Sequence, residues 1–200
     1  MEVHLVSLWL PILVSALVVF AASFLAWSVL PHHKPDITSL EHGQEQQLLE
    51  WAASAGIKSG VYMFPGCADA KRMRDPEFRK RWKAGPWGTL NLLKAPPSFA
   101  RNLICVFLFF VVVGVFVAYV GGIGMRPRTP FLHVFRVTGA AAVMAHALGF
   151  IPHGIFFGRS FRSMFCDVVD GVVYGLLTGL IFAWLWPAAE AVMSDPPVGG

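Results

Sequence analysis

The sequence predicts an all-α, polytopic membrane protein: four transmembrane helices in a compact bundle, with a helical cytoplasmic segment between the first and the second. Three observations predict it. Hydrophobic residues make up 56% of the 200-residue chain and charged residues only 14%, against about 25% charged in an ordinary soluble domain. Four runs are apolar and long enough to cross about 30 Å of hydrocarbon as helices. Small residues recur every fourth position in three of those runs, which lines them along one helix face.

The first run covers 5–30 and holds no charged residue. Met1-Glu2-Val3-His4 lacks a basic n-region, and the apolar run is longer than a signal-peptide core, so a retained span is expected. Trp9 and Trp27 stand near its ends, as interfacial anchors do. Pro11 is a kink candidate, and Pro31-His32-His33-Lys34-Pro35 stops the helix.

Residues 31–101 form the one sizeable polar segment. Thr38-Ser39-Leu40-Glu41 reads as a capping box that opens a helix reaching about Ala55, with Gly56 just past its end. Residues 61–66 are too short and too Pro/Gly-bounded for more than an extended strand or turn. Asp75-Pro76 opens a further short helix, Asp as N-cap and Pro at its first position, and Gly85-Pro86 ends it. Between 71 and 83, seven basic residues stand against Asp75 and Glu77. Phe78 and Trp82, four apart, share one face there. A basic helix with an aromatic face suits an anionic lipid surface; a plain solvated face is the alternative. No nucleic-acid reading motif accompanies the charge, so nucleic acid is not an expected partner.

The second span is expected at 102–121, with Arg101 at its mouth, followed by a tight connection over 122–130. The third, 131–157, is the most polar, with His133, Arg136, Thr138, His146, Pro152 and His153. The fourth, 167–186, begins with Asp167 and Asp170. The resulting division is 1–30 (first helix), 31–101 (membrane-surface segment), 102–187 (remaining helices) and 188–200, a Pro/Gly-rich tail expected to be flexible. Four spans place both termini on one side. Lys34, Lys94, Arg101, Arg159 and Arg162 flank the membrane on the other side, so the positive-inside rule makes 31–101 cytoplasmic and the termini external.

Three small-residue rows stand out. The second span carries Gly114, Ala118 and Gly122. The third carries Ala141, Ala145 and Gly149, and the fourth Gly171, Gly175 and Gly179. Helices in lipid gain little from hydrophobic association, so such rows are the usual packing device.

An ionisable group inside a membrane costs about 2.5–3.5 kcal/mol on insertion scales, so each needs a reason. Arg136 is expected to snorkel outward; a buried partner is the alternative. Asp167 is expected at the interface, paired with Arg162 or Arg159. Asp170, one turn deeper, has Arg159, His153 and His33 as candidate partners. His32, His33, His153, Arg159, Asp167 and Asp170 thus form a candidate polar cluster at one membrane edge. A structural clamp is its simplest role, and proton or ion handling the sharper one.

His146 and His153 are two turns apart, on one helix face. Interhelical hydrogen bonding is expected of them, with haem ligation as the weaker alternative, because the second and fourth spans contain no histidine. Cys67, Cys105 and Cys166 form no CxxC, and neither a disulfide framework nor a zinc site is expected. No hydrolase, metalloprotease or nucleotide-binding signature is present.

The chain therefore reads as a non-enzymatic structural or accessory subunit that binds other membrane proteins through its small-residue and aromatic-rich faces. No catalytic residue, metal or cofactor is assigned, and the expected partners are lipid and other membrane proteins or further copies of itself. Two alternatives stand beside it: a small transporter or ion- or proton-conducting protein, and a haem-binding membrane redox protein.

Several motifs occur in a familiar order. They are Pro31-His32-His33-Lys34 with Asp36, Tyr62-Met63-Phe64-Pro65, Gly85-Pro86 with Gly88, and Asp170-Gly171 through Tyr174 to Trp184-Leu185-Trp186-Pro187. Together they resemble a group of small bacterial four-span membrane proteins of unknown function, over most of the chain. The resemblance implies a bacterial inner-membrane location and this topology. It transfers no catalytic residue.

Overall fold

A computed structural model describes residues 3–67, 69 and 71–188. Of the tail expected over 188–200, all but the first residue lies outside the described residues. The chain divides into two units, Met1–Ile37 with Phe99–Gly200, and Thr38–Ser98. In chain order the elements are α1 (Trp9–Phe24), α2 (His42–Ser54), β1 (Gly60–Phe64), α3 (Pro76–Ala84), β2 (Gly88–Leu92), α4 (Phe99–Gly124), α5 (Phe131–Val143), α6 (Ile151–Phe156) and α7 (Phe161–Trp184).

In the larger unit, four helical stretches are long and apolar enough to cross a membrane: Leu5–Val29, Phe99–Gly124, Phe131–Phe156 and Phe161–Trp184. The first joins a 3₁₀ turn, α1 and a closing π turn (Leu25–Val29). The third joins α5, a π turn (Met144–Leu148) and α6, whose start is marked by Pro152.

Two boundaries differ from the sequence expectation. Gly121 to Gly124 continue α4 instead of turning, and Gly122 faces the Val3 carbonyl, where an added Cβ would sit 3.1 Å from it. Helix α7 starts at Phe161, six residues early, because Ser160 caps it by accepting a hydrogen bond from Ser163 N at 3.1 Å. Asp167 and Asp170 therefore lie in the second and third turns of the helix, not at its mouth.

The glycines of α7 meet the third stretch backbone to backbone. A Cβ at Gly179 would lie 2.7 Å from Gly139 Cα, one at Gly175 2.6 Å from Val143 N, and one at Gly171 2.6 Å from Ala147 Cα. The row on α4 turns towards the N-terminal stretch: Gly114 abuts Ile12 of α1, and Gly122 the Val3 carbonyl. Between them, Ala118 is 0% exposed and belongs to the same apolar core cluster as Val3, Leu8 and Ile12. Ala118 therefore corrects the expectation that small-residue faces receive partner proteins. Its face is already covered by this chain's own first stretch, because a methyl side chain lets the two backbones close over it.

The row Ala141, Ala145 and Gly149 is a further correction: the third stretch presents Gly139, Val143 and Ala147 to α7. Ala145 is exposed, nothing lies within 4 Å of a Cβ at Gly149, and Ala141 is only half-buried. The reason is helix rotation. Val134, Thr138 and Ala142 are fully buried, and orienting that face inward swings Ala145 and Gly149 outward. Leu8, Ile12, Val117, Ala118, Val134 and Phe182 form one apolar core cluster; Ala16, Val19, Phe110 and Tyr174 form a second.

The smaller unit corrects the all-α expectation. Strands β1 and β2 pair antiparallel, Gly60 opposite Leu92 and Phe64 opposite Gly88. Each strand is five residues long, and each satisfies backbone groups of the other across the intervening α3. Gly88 is required at that register, since a Cβ there would come 2.7 Å from the Phe64 ring. Asp75 caps α3 through Glu77 N, as expected, and Gly56 takes a positive φ of 62° just past α2. The capping box does not form: the chain stays extended through Glu41, which makes no side-chain cap bond. Phe78 is 3% exposed and stands at the centre of the unit, with Trp82 and the Arg72 guanidinium against its ring.

Candidate functional site

The site forms where the chain leaves its first apolar helix. Leu30 is extended, and Pro31 opens a 3₁₀ turn over Pro31–Asp36. In such a turn residues i and i+3 eclipse, which brings His33 and Asp36 together: His33 Nδ1 lies 2.6 Å from Asp36 Oδ2. The other ring nitrogen, Nε2, lies 2.9 Å from Asp170 Oδ2 on α7. His32 Nε2 approaches the same carboxylate, 3.2 Å from each oxygen. Arg162, two turns before Asp170, donates to Asp36 Oδ1 at 2.9 Å and to the His32 carbonyl at 2.6 Å. Trp27 stacks flat on the His33 ring, centroids 3.9 Å apart and planes 4° from parallel.

The cluster is well shielded. Side-chain exposure is 2% for His33, 4% for Asp36, 14% for Asp170 and 29% for His32. Burial works against a charged His33. The hydrogen bonds and negative charge of Asp36 and Asp170 outweigh it and hold the imidazole above its ordinary value. Asp36 is held below the usual carboxylate range, chiefly by the His33 hydrogen bond; burial opposes this, while Ser163 and the His33 and Arg162 charges add to it. In its charged form His33 donates one N–H to each carboxylate.

The six residues of the predicted cluster separate into three places. His32, His33 and Asp170 come together. Arg159 and Asp167 form their own ion pair at 2.6 Å, with Arg159 also donating to Ser163 Oγ at 2.6 Å. His153 is exposed and stacks on Phe157. Arg136 is exposed on α5. His146 lies in the π turn, half-buried and edge-on to Phe110 and Tyr174. Sequence reasoning missed the roles of Asp36 and Arg162 in this cluster and read Trp27 only as an interfacial anchor. The signal for Asp36 was its i+3 spacing from His33 directly after a proline.

Two imidazole nitrogens and a carboxylate oxygen, from His32, His33 and Asp170, all lie within 4.8 Å of one another, the one such trio of potential metal ligands among the described residues. The arrangement can therefore clamp the 31–36 turn to α7, exchange protons between imidazole and carboxylate, or ligate a cation. No family model, curated protein or solved structure matches this chain.

Proposed function

We propose that this chain is a non-enzymatic integral membrane protein, a structural or accessory subunit of a larger complex in the bacterial inner membrane. Its four apolar helices cross the bilayer as a bundle. Segment 31–101 lies on the cytoplasmic side, with 71–83 against anionic lipid, and both termini lie outside. One observation carries this reading: no more than 33% of the most apolar window of any of the four helices is buried within the chain. Phe116, Phe161, Phe165 and Trp184 are each more than 60% exposed. Apolar surface on that scale needs covering by lipid or by other membrane helices. Cross-linking in native membranes, gentle extraction and mass measurement test it. The expected particle is larger than the 21.9 kDa chain and carries a protein partner, or further copies, in fixed ratio. A monomer surrounded only by lipid overturns the reading.

A second reading, a small transporter or proton-conducting protein, has its own supporting observation. Tyr174, one turn beyond Asp170 on α7, has a buried hydroxyl, and its ring packs edge-on to His146 at 6.1 Å. Three titratable groups thus run from the edge cluster into the apolar interior. If they form a path, Asp170→Asn abolishes flux in proteoliposomes; unchanged flux removes that residue from any such mechanism.

A further inference from the structure

We propose that His32, His33 and Asp170 bind one divalent transition-metal ion of the zinc class, with Asp36 orienting His33 from behind. The site holds whether or not the chain joins a larger complex.

The donor set comes first. Two imidazoles and one carboxylate are borderline ligands that suit zinc and its neighbours. Three protein ligands with a fourth position left for water or another group is a common zinc arrangement. Spacing comes second. Metal–ligand bonds of about 2.0–2.1 Å in a tetrahedron put ligand atoms about 3.3 Å apart. The nitrogen-to-oxygen separations here are 3.2 Å for His32 and 2.9 Å for His33, so a small outward movement of side chains admits an ion.

Orientation is the third observation. A metal-bound histidine generally gives its other N–H to a carboxylate, which sets the tautomer and aims the lone pair. Asp36 occupies that position on His33 Nδ1 at 2.6 Å, and is itself held by Arg162 at 2.9 Å. Trp27 holds the ring from its face. A clamp alone would need one histidine against Asp170; here two neighbouring histidines converge on the same carboxylate. Charge agrees as well. Asp36 and Asp170 outnumber Arg162, leaving one negative charge to attract a cation when the imidazoles are neutral. His32, the most open of the three, marks the side of entry.

The test uses the untagged full-length chain in detergent, treated with chelator and then titrated with zinc chloride alone. Cobalt chloride serves as the spectroscopic probe. We expect one zinc per chain, and a visible cobalt absorption of a four- or five-coordinate site. His32→Ala and Asp170→Asn should each weaken zinc binding at least about tenfold, and Asp36→Asn, which touches no metal, about 10–100-fold. His32→Ala leaves the His33–Asp36 pair in place, and circular dichroism of every variant separates lost ligation from lost fold. A folded wild-type chain that takes up no zinc overturns the proposal. So does zinc binding that His32→Ala and Asp170→Asn both leave unchanged, which would place the ion elsewhere on the chain.

Discussion

Asp36 and Asp167 make the same kind of contact with different consequences. Asp36 is 4% exposed and shares its two oxygens between His33 and Arg162. Removing it by Asp36→Ala strands a buried imidazole and frees Arg162, and loss of one member of such a pair costs about 3–5 kcal/mol. The Arg159–Asp167 pair has its arginine side chain 35% exposed, so Arg159→Ala should cost no more than about 1 kcal/mol. Thermal unfolding of the two variants in the same detergent checks the contrast; equal losses would show that burial does not set the cost. That Asp170 needs a partner was legible, because a carboxylate in an apolar run always does. Which partner it finds was not. His32 and His33 lie 138 and 137 positions away in the chain, and His153, on the helical stretch next to α7 in sequence, faces elsewhere.

At the scale of the element, the glycine row of α7 carries the packing. Gly175→Leu places a side chain where even a Cβ would meet Val143 backbone at 2.6 Å. Overpacking of this kind costs about 1–3 kcal/mol or more, so the variant should lose thermal stability or yield. Gly149→Ala, on a face with nothing within 4 Å, should be close to neutral in the same assay. A comparable loss in both would mean that α5–α7 packing is not governed by this row. In the smaller unit, Phe78→Ala removes the buried centre of α3 and should cost about 3–5 kcal/mol, read as faster limited proteolysis within 38–98. The row on α7 was legible because glycine every fourth residue defines a face without reference to anything else. What each row packs against was not. Ala118 of α4 is closed over by the chain's own N-terminal stretch, a neighbour more than a hundred residues away in sequence. The matching row on α5 was hidden as well, since two rows of small residues compete and only the rotation of the helix chooses between them. The strands were illegible for a related reason: a five-residue extended run has no partner until the chain returns 24 residues later.

At the scale of the whole molecule, the cytoplasmic placement of 31–101 makes a direct prediction. Cys67 is the one cysteine of that segment. With Cys105 and Cys166 replaced by serine, an impermeant maleimide should label Cys67 in inside-out vesicles and not in intact cells. The reverse pattern would invert the topology, and with it the side on which His32, His33 and Asp170 meet. What the sequence by itself determined is the set of four long apolar helices and their approximate places, because hydrophobic length and helical period are properties of contiguous residues. It also marked the groups too polar to be left alone there. Only the tertiary structure decided how those groups are matched: His32, His33 and Asp36 with Asp170 and Arg162, Arg159 with Asp167, and Gly139 with Gly179. The physical reason is that such pairings depend on helix rotation, on where a cap starts a helix, and on contacts spanning more than a hundred residues, none of which is encoded in local spacing.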